Sequence, residues 1–285
     1  MASDTLVVNG GRLARLQSRP TLEEYIREIW QVRRFIALNA RTRANLNGRD
    51  TFLGRAWVIL DPILQTAFYG FVFGMVLNVS KDMENFPGYL AIGVVFFRVA
   101  TRGLTSGIGL VRRSRALISS FSFPRAAVVL GEGLKNTIDG VTPVLVGILM
   151  ALAWQLDKPI PWTVVLIVPI YCLVQLFSLG CLFFVARATA FVPDLKSIVN
   201  LFTRALFFLS GIFFSIERFV NHETLALVMK LNPVYQTLYA ARCCVLNGEV
   251  PPVFTWVYLA FWAFGLVAFG FIYFWAAEGR YANVR

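Results

Sequence analysis

Six blocks of apolar residues, most of them near 20 residues long, are the feature that most constrains this chain. A membrane's hydrocarbon layer is about 30 Å thick, so a helix of about 20 apolar residues crosses it. Hydrophobic residues make up 57% of the sequence and charged residues 15%, against roughly 25% charged in average soluble domains. The sequence therefore predicts an all-α, polytopic membrane protein. Its six predicted transmembrane helices cover residues 56–78, 88–111, 126–154, 162–186, 197–214 and 254–276.

The basic residues are distributed unevenly over the loops. A net charge of +11 would suggest nucleic acid in a soluble protein, but arginine and lysine collect on the cytoplasmic side of membrane proteins. Residues 1–55 hold ten arginines and five acids, and residues 112–125 hold four arginines and no acid. The pattern predicts a multi-pass protein with both termini in the cytoplasm and no nucleic-acid partner.

The first 55 residues divide into two parts. Residues 1–20 are expected to form a flexible cytoplasmic tail. Thr21 and Glu24 have the spacing of a capping box, so a helix should begin there. Its apolar and charged residues fall on different sides, which predicts an amphipathic helix on the membrane surface and a connector over residues 21–55. The alternative is a soluble helix packed on a partner domain.

Residues 215–253 are too polar to span a membrane and too apolar for a plain loop. Charged residues and the Asn232-Pro233 pair interrupt their apolar stretches. Short re-entrant or interfacial helices before the last span are the expected structure.

Catalytic motifs are lacking. The chain has one histidine, no phosphate-binding G-x-x-x-x-G-K-[ST] string and no metal-ligand spacing. The chain is therefore not expected to be an enzyme or to hold a cofactor. If it belongs to a pump, another chain must hydrolyse the ATP.

Five short strings, in order along the chain, resemble the permease subunit of polysaccharide ABC exporters of the ABC-2 class. They are Phe52 to Trp57 with Asp61-Pro62, Phe123-Pro124-Arg125, Val192 to Lys196, Leu231-Asn232-Pro233 with Tyr239 to Arg242, and Glu278 to Ala282.

The resemblance implies a six-span ABC-2 domain over residues 56–285 in the bacterial cytoplasmic membrane. It implies a homodimer with two ABC ATPase subunits, which bind ATP and Mg. The implied substrate is a polysaccharide linked to a polyprenyl diphosphate, such as a galactan, O-antigen or teichoic acid. The sequence is also similar to actinobacterial cell-wall galactan exporters. The alternative is a non-ABC scaffold or channel of a glycan-synthesis complex.

Charged residues within the predicted spans are candidates for substrate binding. Arg98 and Arg102 share one face of the second span, and Glu132, Lys135 and Asp139 share one face of the third. Charges at this depth are costly and should face protein or water. Either they line a hydrophilic channel, or they form ion pairs that hold spans two and three together.

Aromatic residues crowd the first and fifth spans. The resemblance implies that these spans line the pore, where Phe68, Tyr69, Phe207 and Phe208 would contact sugar. Trp57 is a candidate of the same kind. The alternative is that the aromatic rings face lipid or fill the core.

Two basic segments complete the candidate sites. Arg49 and Arg55 precede the first span and are candidates for binding a diphosphate head group, because the guanidinium fork suits phosphate. They could instead only attract anionic lipids. The loop with Arg112, Arg113, Arg115, Leu117 and Ile118 is interpreted, from the resemblance, as a coupling helix that docks on the ATPase. A solvated basic loop is the alternative.

Overall fold

Helices make up every regular element in the described part of the chain. The computed structural model describes residues 21–46, 54, 56–77, 85–120, 123–214 and 223–283. The α-helices of these residues are α1 (Leu22–Gln31), α2 (Arg33–Leu46), α3 (Ala56–Tyr69), α4 (Phe86–Gly107), α5 (Leu110–Arg113), α6 (Arg115–Ser120), α7 (Ala126–Ala153), α8 (Ile167–Phe191), α9 (Leu195–Leu209), α10 (Glu223–Lys230), α11 (Pro233–Arg242) and α12 (Val253–Trp275). Short π- and 3-10-helical segments are Gly70–Val76, Trp162–Leu166, Cys243–Asn247 and Glu278–Asn283.

A helix lies at each predicted span, and its ends lie within about five residues of the predicted ends when α3 is extended by the π-helical Gly70–Val76. By length and composition, four described segments can cross a membrane: Ala56–Val76, Ala126–Ala153, Trp162–Phe191 and Val253–Trp275. The helix at the second span, α4, has 22 residues but carries two arginines. The helix at the fifth, α9, has only 15 residues, fewer than the roughly 20 that a straight crossing needs. The all-helical architecture is confirmed, and the count of six remains a prediction.

Helix α4 lies at the centre of the bundle. Sixteen of its 22 residues are buried, and it contacts α3, α7, α8, α9 and α11. The largest apolar cluster of the described residues forms around it, with Phe96 and Ile92 fully buried. This position explains how α4 can carry arginines: their side chains meet protein groups instead of lipid.

Two glycines let α8 and α12 approach closely. A Cβ atom on Gly180 would lie 2.5 Å from the carbonyl carbon of Leu266, and one on Gly270 would lie 2.7 Å from the carbonyl oxygen of Gly180. Small residues at such crossings are typical of helix packing in membranes. Elsewhere α12 exposes large apolar side chains, as a lipid-facing helix does: Val253, Phe254, Val257, Phe261, Phe264, Phe269 and Ile272.

The N-terminal helix begins where the sequence predicts. Thr21 Oγ1 accepts from the backbone N–H of Glu24 at 3.3 Å, and Glu24 accepts from the N–H of Thr21 at 3.0 Å. This confirms the capping box. The predicted single helix is interrupted at Val32, which separates α1 from α2. Tyr25 is buried against the bundle, whereas Trp30 and Leu38 are 66% and 67% exposed.

Short helices precede the last long helix. Residues 231–232 separate α10 from α11, and Asn232 caps α11 by accepting from the N–H of Val234 at 2.9 Å. Most of α11 is buried. The predicted short helices are therefore present in residues 223–247, and their depth in the membrane remains a prediction.

Candidate functional site

Two arginines of α4 each pair with a carboxylate of a neighbouring helix. Arg102 Nη2 donates to Asp139 Oδ2 of α7 at 2.7 Å, and its Nε donates to Asn136 Oδ1 at 3.1 Å. Arg98 pairs with Asp61 of α3. Internal ion pairs thus form, as one of the two interpretations expects. The partner of Arg98, however, lies on the first span and not on the third, because α4 contacts both α3 and α7.

The charges of α7 alternate along one face. Lys135 Nζ lies 3.4 Å from Asp139 Oδ2 and 3.7 Å from Glu132 Oε1. From α2, Arg43 Nη2 reaches within 2.9 Å of Glu132 Oε2. Positive and negative groups therefore follow one another from α2 through α7 to α4. This alternation explains how the bundle tolerates buried charges, since an unpaired charge in an apolar interior is costly.

A groove of about 690 Å³ opens beside these pairs, between α2, α3, α4 and α7. Trp57, Asp61, Arg98, Arg102 and Asp139 contribute to its lining. The groove combines two guanidinium groups with an indole ring, which is 44% exposed. Such a surface can bind phosphate through the arginines and sugar or lipid through the ring.

Two smaller grooves continue along α4. One, of about 340 Å³, shares Arg98 and Arg102 with the first groove. The other, of about 480 Å³, shares Phe97, Thr105 and Phe207 with the second. Because each groove shares side chains with the next, the three form one band from the charged residues of α3 and α7 to α9. We call this band the α4 groove.

Aromatic rings line the α9 end of the α4 groove. The ring centroids of Tyr69 and Phe207 lie 5.5 Å apart, and those of Phe97 and Phe207 lie 5.1 Å apart. Phe208 contacts Phe207 at 5.5 Å, and Phe68 contacts Tyr69 at 5.6 Å. The four aromatics predicted from spans one and five therefore lie together. Phe68 and Phe208 are 63% and 57% exposed, which also suits the alternative of lipid contact.

The two arginines predicted to bind a head group, Arg49 and Arg55, lie outside the described residues. Among the described residues, the structure adds Asp61, Phe97, Asn136 and Arg204 to the candidate site. A charge inside a long apolar block is a signal that could have identified Asp61 and Arg204 from sequence. Nothing in the sequence distinguishes Phe97 from the many other phenylalanines.

The predicted coupling residues lie on α5 and α6. Arg112 donates to the backbone carbonyl of Ala190 at 3.3 Å, and Arg113 donates to that of Ser106 at 2.9 Å. Leu117 and Ile118 are half-buried against the apolar cluster that contains Tyr25. Arg115 is exposed. Arg112 and Arg113 are therefore held against their own chain, and docking on another protein remains a prediction for this segment.

Three distant segments meet beside α6. Tyr25 donates from its hydroxyl to Glu278 Oε2 at 2.6 Å and accepts from the N–H of Ala126 at 3.0 Å. Arg125 donates from its backbone N–H to Glu278 Oε1 at 2.9 Å and from its side chain to the same oxygen at 3.2 Å. We call Tyr25, Arg125 and Glu278 the terminal clasp.

The terminal clasp keeps the Tyr25 hydroxyl protonated. Burial, and then the carboxylate of Glu278, raise the pKa of Tyr25, so the phenol remains a donor at physiological pH. The strings around Arg125 and Glu278 that the sequence analysis singled out are thus in direct contact.

At the opposite end of the bundle, Arg242 is buried among carbonyl oxygens. It donates to Gly211 at 2.9 Å, to Ile212 at 3.2 Å and to Tyr89 at 3.2 and 3.3 Å. Its guanidinium also lies over the Tyr89 ring, 3.4 Å from the centroid. Arg242 therefore fixes the turn that ends α9 against α4, and Gly211 can adopt its positive φ of 63° there because it lacks a Cβ.

Comparisons with known proteins point to one family. The model of the family described as "ABC-2 type transporter" matches residues 34–246. The O-antigen export system permease protein RfbA of Myxococcus xanthus is 22% identical over 79% of this chain and 85% of its own length. RfbA of Klebsiella pneumoniae is 19% identical over 71% of this chain and 76% of its own length. The polysialic acid transport protein KpsM of Escherichia coli is 21% identical over 73% and 80%, respectively.

Proposed function

We propose that this chain, which belongs to the ABC-2 type transporter family, is the transmembrane subunit of an exporter for a lipid-linked polysaccharide. Family membership decides against a non-ABC scaffold or channel. The relatives are named for O-antigen export and polysialic acid transport, which supports a long glycan as the substrate. A galactan, O-antigen or teichoic-acid-like polymer on a polyprenyl diphosphate is the finer proposal.

The observation that carries this proposal is the α4 groove. Paired charges at one end, around Arg102 and Asp139, can exchange a protein partner for a phosphate or a sugar hydroxyl. Aromatic rings at the other end, around Phe207, offer apolar faces for sugar rings. A hydrophilic path with aromatic walls inside an otherwise apolar bundle suits the passage of a polysaccharide.

The rest of the assembly is proposed by analogy with the family. Two copies of this chain, each with six spans, would enclose the path between their α3 and α9 helices. These helices are available for such an interface, since α9 has no buried residue in the single chain. Two ABC ATPase subunits would bind ATP and Mg and would act on the α5–α6 segment. The exposed apolar residues Trp30 and Leu38 support a membrane-surface position for α1 and α2. Arg49 and Arg55 remain candidates for the carrier diphosphate.

Removing Arg102 should test the proposed path. In cells that depend on the variant, Arg102→Ala should reduce the amount of glycan at the cell surface at least about tenfold, with lipid-linked glycan accumulating inside, because the groove loses a guanidinium group and Asp139 loses one charged partner and keeps Lys135. Surface glycan and the lipid-extracted precursor are the two measurements. Arg280→Ala, which removes an exposed arginine, is the matched control. Normal export by the Arg102 variant at normal membrane level would contradict the proposed path.

The orientation is tested separately. With Cys172, which is exposed, replaced by Ser, cysteines introduced at Ser114 and Asp157 should react with a membrane-impermeant maleimide from opposite sides. We expect Asp157→Cys to be labelled in intact cells and Ser114→Cys only after lysis, because the basic loops belong in the cytoplasm. Labelling of both in intact cells would rule out the proposed topology.

A further inference from the structure

A groove of about 640 Å³ lies at the end of α7 opposite the terminal clasp. Since α7 has 28 residues, the two sites are about 40 Å apart along that helix. The start of α4, the α7–α8 connection and the π-helical turn after α11 form its walls. The residues that concern the argument are Asn85, Tyr89, Trp154, Gln155, Asp157 and Asn247.

This groove has an aromatic surface and several fixed polar groups. Trp154 is 65% exposed. Asn85 is held in place, because it donates to the carbonyl of Ala151 at 3.1 Å and accepts from the N–H of Gly88 at 2.9 Å. Gln155 donates to the carbonyl of Leu246 at 3.0 Å, which orients its amide. Its Oε1 atom is buried and has no hydrogen-bond partner among the described residues, so a rotation of the side chain toward the groove would let this oxygen accept from a ligand hydroxyl.

The charges that line the groove are balanced. Asp157 is its acid and Lys158 its base. A polyanion would be expected to meet an excess of arginine or lysine, and the described lining of this groove has no such excess. Balanced charge, amide groups and an exposed indole suit a neutral molecule rich in hydroxyl groups.

We propose that this groove binds a neutral saccharide segment of the exported glycan, with Trp154 as the stacking surface and Gln155 Oε1 as a hydrogen-bond acceptor. The inference rests on the proposed function for the presence of a glycan at this end of the bundle. Tyr89 connects the groove to the proposed path, because its hydroxyl donates to the carbonyls of Gly211 and Phe214 at 3.1 Å. A saccharide in the groove therefore lies beside the turn that ends α9, where a chain leaving the path would emerge.

The test is direct binding by the purified full-length protein in detergent. The probes are a neutral galactose tetrasaccharide and a sialic acid tetramer, each titrated by saturation-transfer NMR. We expect the neutral probe to bind and the anionic probe to bind at least about tenfold more weakly. Trp154→Ala should weaken binding of the neutral probe about tenfold, because it removes the aromatic face.

Trp162→Ala is the matched control, since Trp162 is 70% exposed near the same end of the bundle but does not line the groove. It should leave the affinity unchanged.

Gln155→Glu keeps the side-chain size but adds a charge and removes the amide donor to the Leu246 carbonyl. We expect this variant to bind the neutral probe more weakly and to gain no affinity for the anionic probe. The inference is overturned if the unaltered protein binds no neutral tetrasaccharide, if both tryptophan variants bind equally, or if the sialic acid tetramer binds as tightly. Export in cells is measured independently, so normal export without binding would reject this site and leave the proposed function standing.

Discussion

Replacing Arg242 by Leu should strongly destabilise the protein. The leucine would leave the carbonyl groups of Tyr89, Gly211 and Ile212 without the donors that Arg242 supplies. Buried polar groups that lose a partner cost about 1–3 kcal/mol each, and Gly211 keeps the Tyr89 hydroxyl as a donor, so the total loss should be about 3 kcal/mol. The midpoint of thermal unfolding in detergent should fall by roughly 5–10 °C.

The size of this effect depends on geometry as well as charge. Arg242→Lys keeps the charge but loses the planar fork that reaches three carbonyls, so its unfolding midpoint should lie between those of the leucine variant and the unaltered protein. Arg280→Ala removes an exposed arginine and should change the midpoint little. An Arg242→Leu variant as stable as the Arg280→Ala variant would show that Arg242 does not hold the turn after α9.

Replacing Glu278 by Ala should open the terminal clasp. The change removes the acceptor for the Tyr25 hydroxyl and leaves the half-buried Arg125 without its carboxylate. Breaking a buried ion pair from one side costs about 3–5 kcal/mol. We expect α1 to detach from the bundle, which limited proteolysis after Arg27 or Arg33 would report as much faster cleavage.

Two further variants separate the parts of the clasp. Tyr25→Phe keeps the buried ring but removes the hydroxyl, so proteolysis should accelerate less than in Glu278→Ala. Glu23→Ala removes an acid whose side chain is 85% exposed and whose pair with Arg27 lies at the surface, so it should have little effect. Slow cleavage of α1 in the Glu278→Ala variant would mean that apolar packing alone holds the helix.

The sequence predicted the long helices well because each depends on local composition. Continuous apolar blocks locate α7 and α12 to within a residue or two, and Thr21 with Glu24 locates the start of α1. These signals need no knowledge of neighbouring segments. The break at Val32 was not predicted, since no glycine or proline marks it.

The contacts between helices could be predicted only in part. Spacing shows that Arg98 and Arg102 share a face, but it does not show that this face meets both α3 and α7. The partner of Arg98 therefore could not be assigned to Asp61 from spacing. For the same reason, the strings around Arg125, Arg242 and Glu278 could be recognised without revealing that two of them touch and that the third binds carbonyls.

The close approach of α8 and α12 has a mechanical consequence. At Gly180 and Gly270 there is no room for a methyl group between the two backbones, so neither helix can roll over the other without collision. We therefore expect the two helices to move as one unit. Rearrangement during a transport cycle would then involve α3, in which two residues are buried, and α9, in which none is; these two helices border the proposed path.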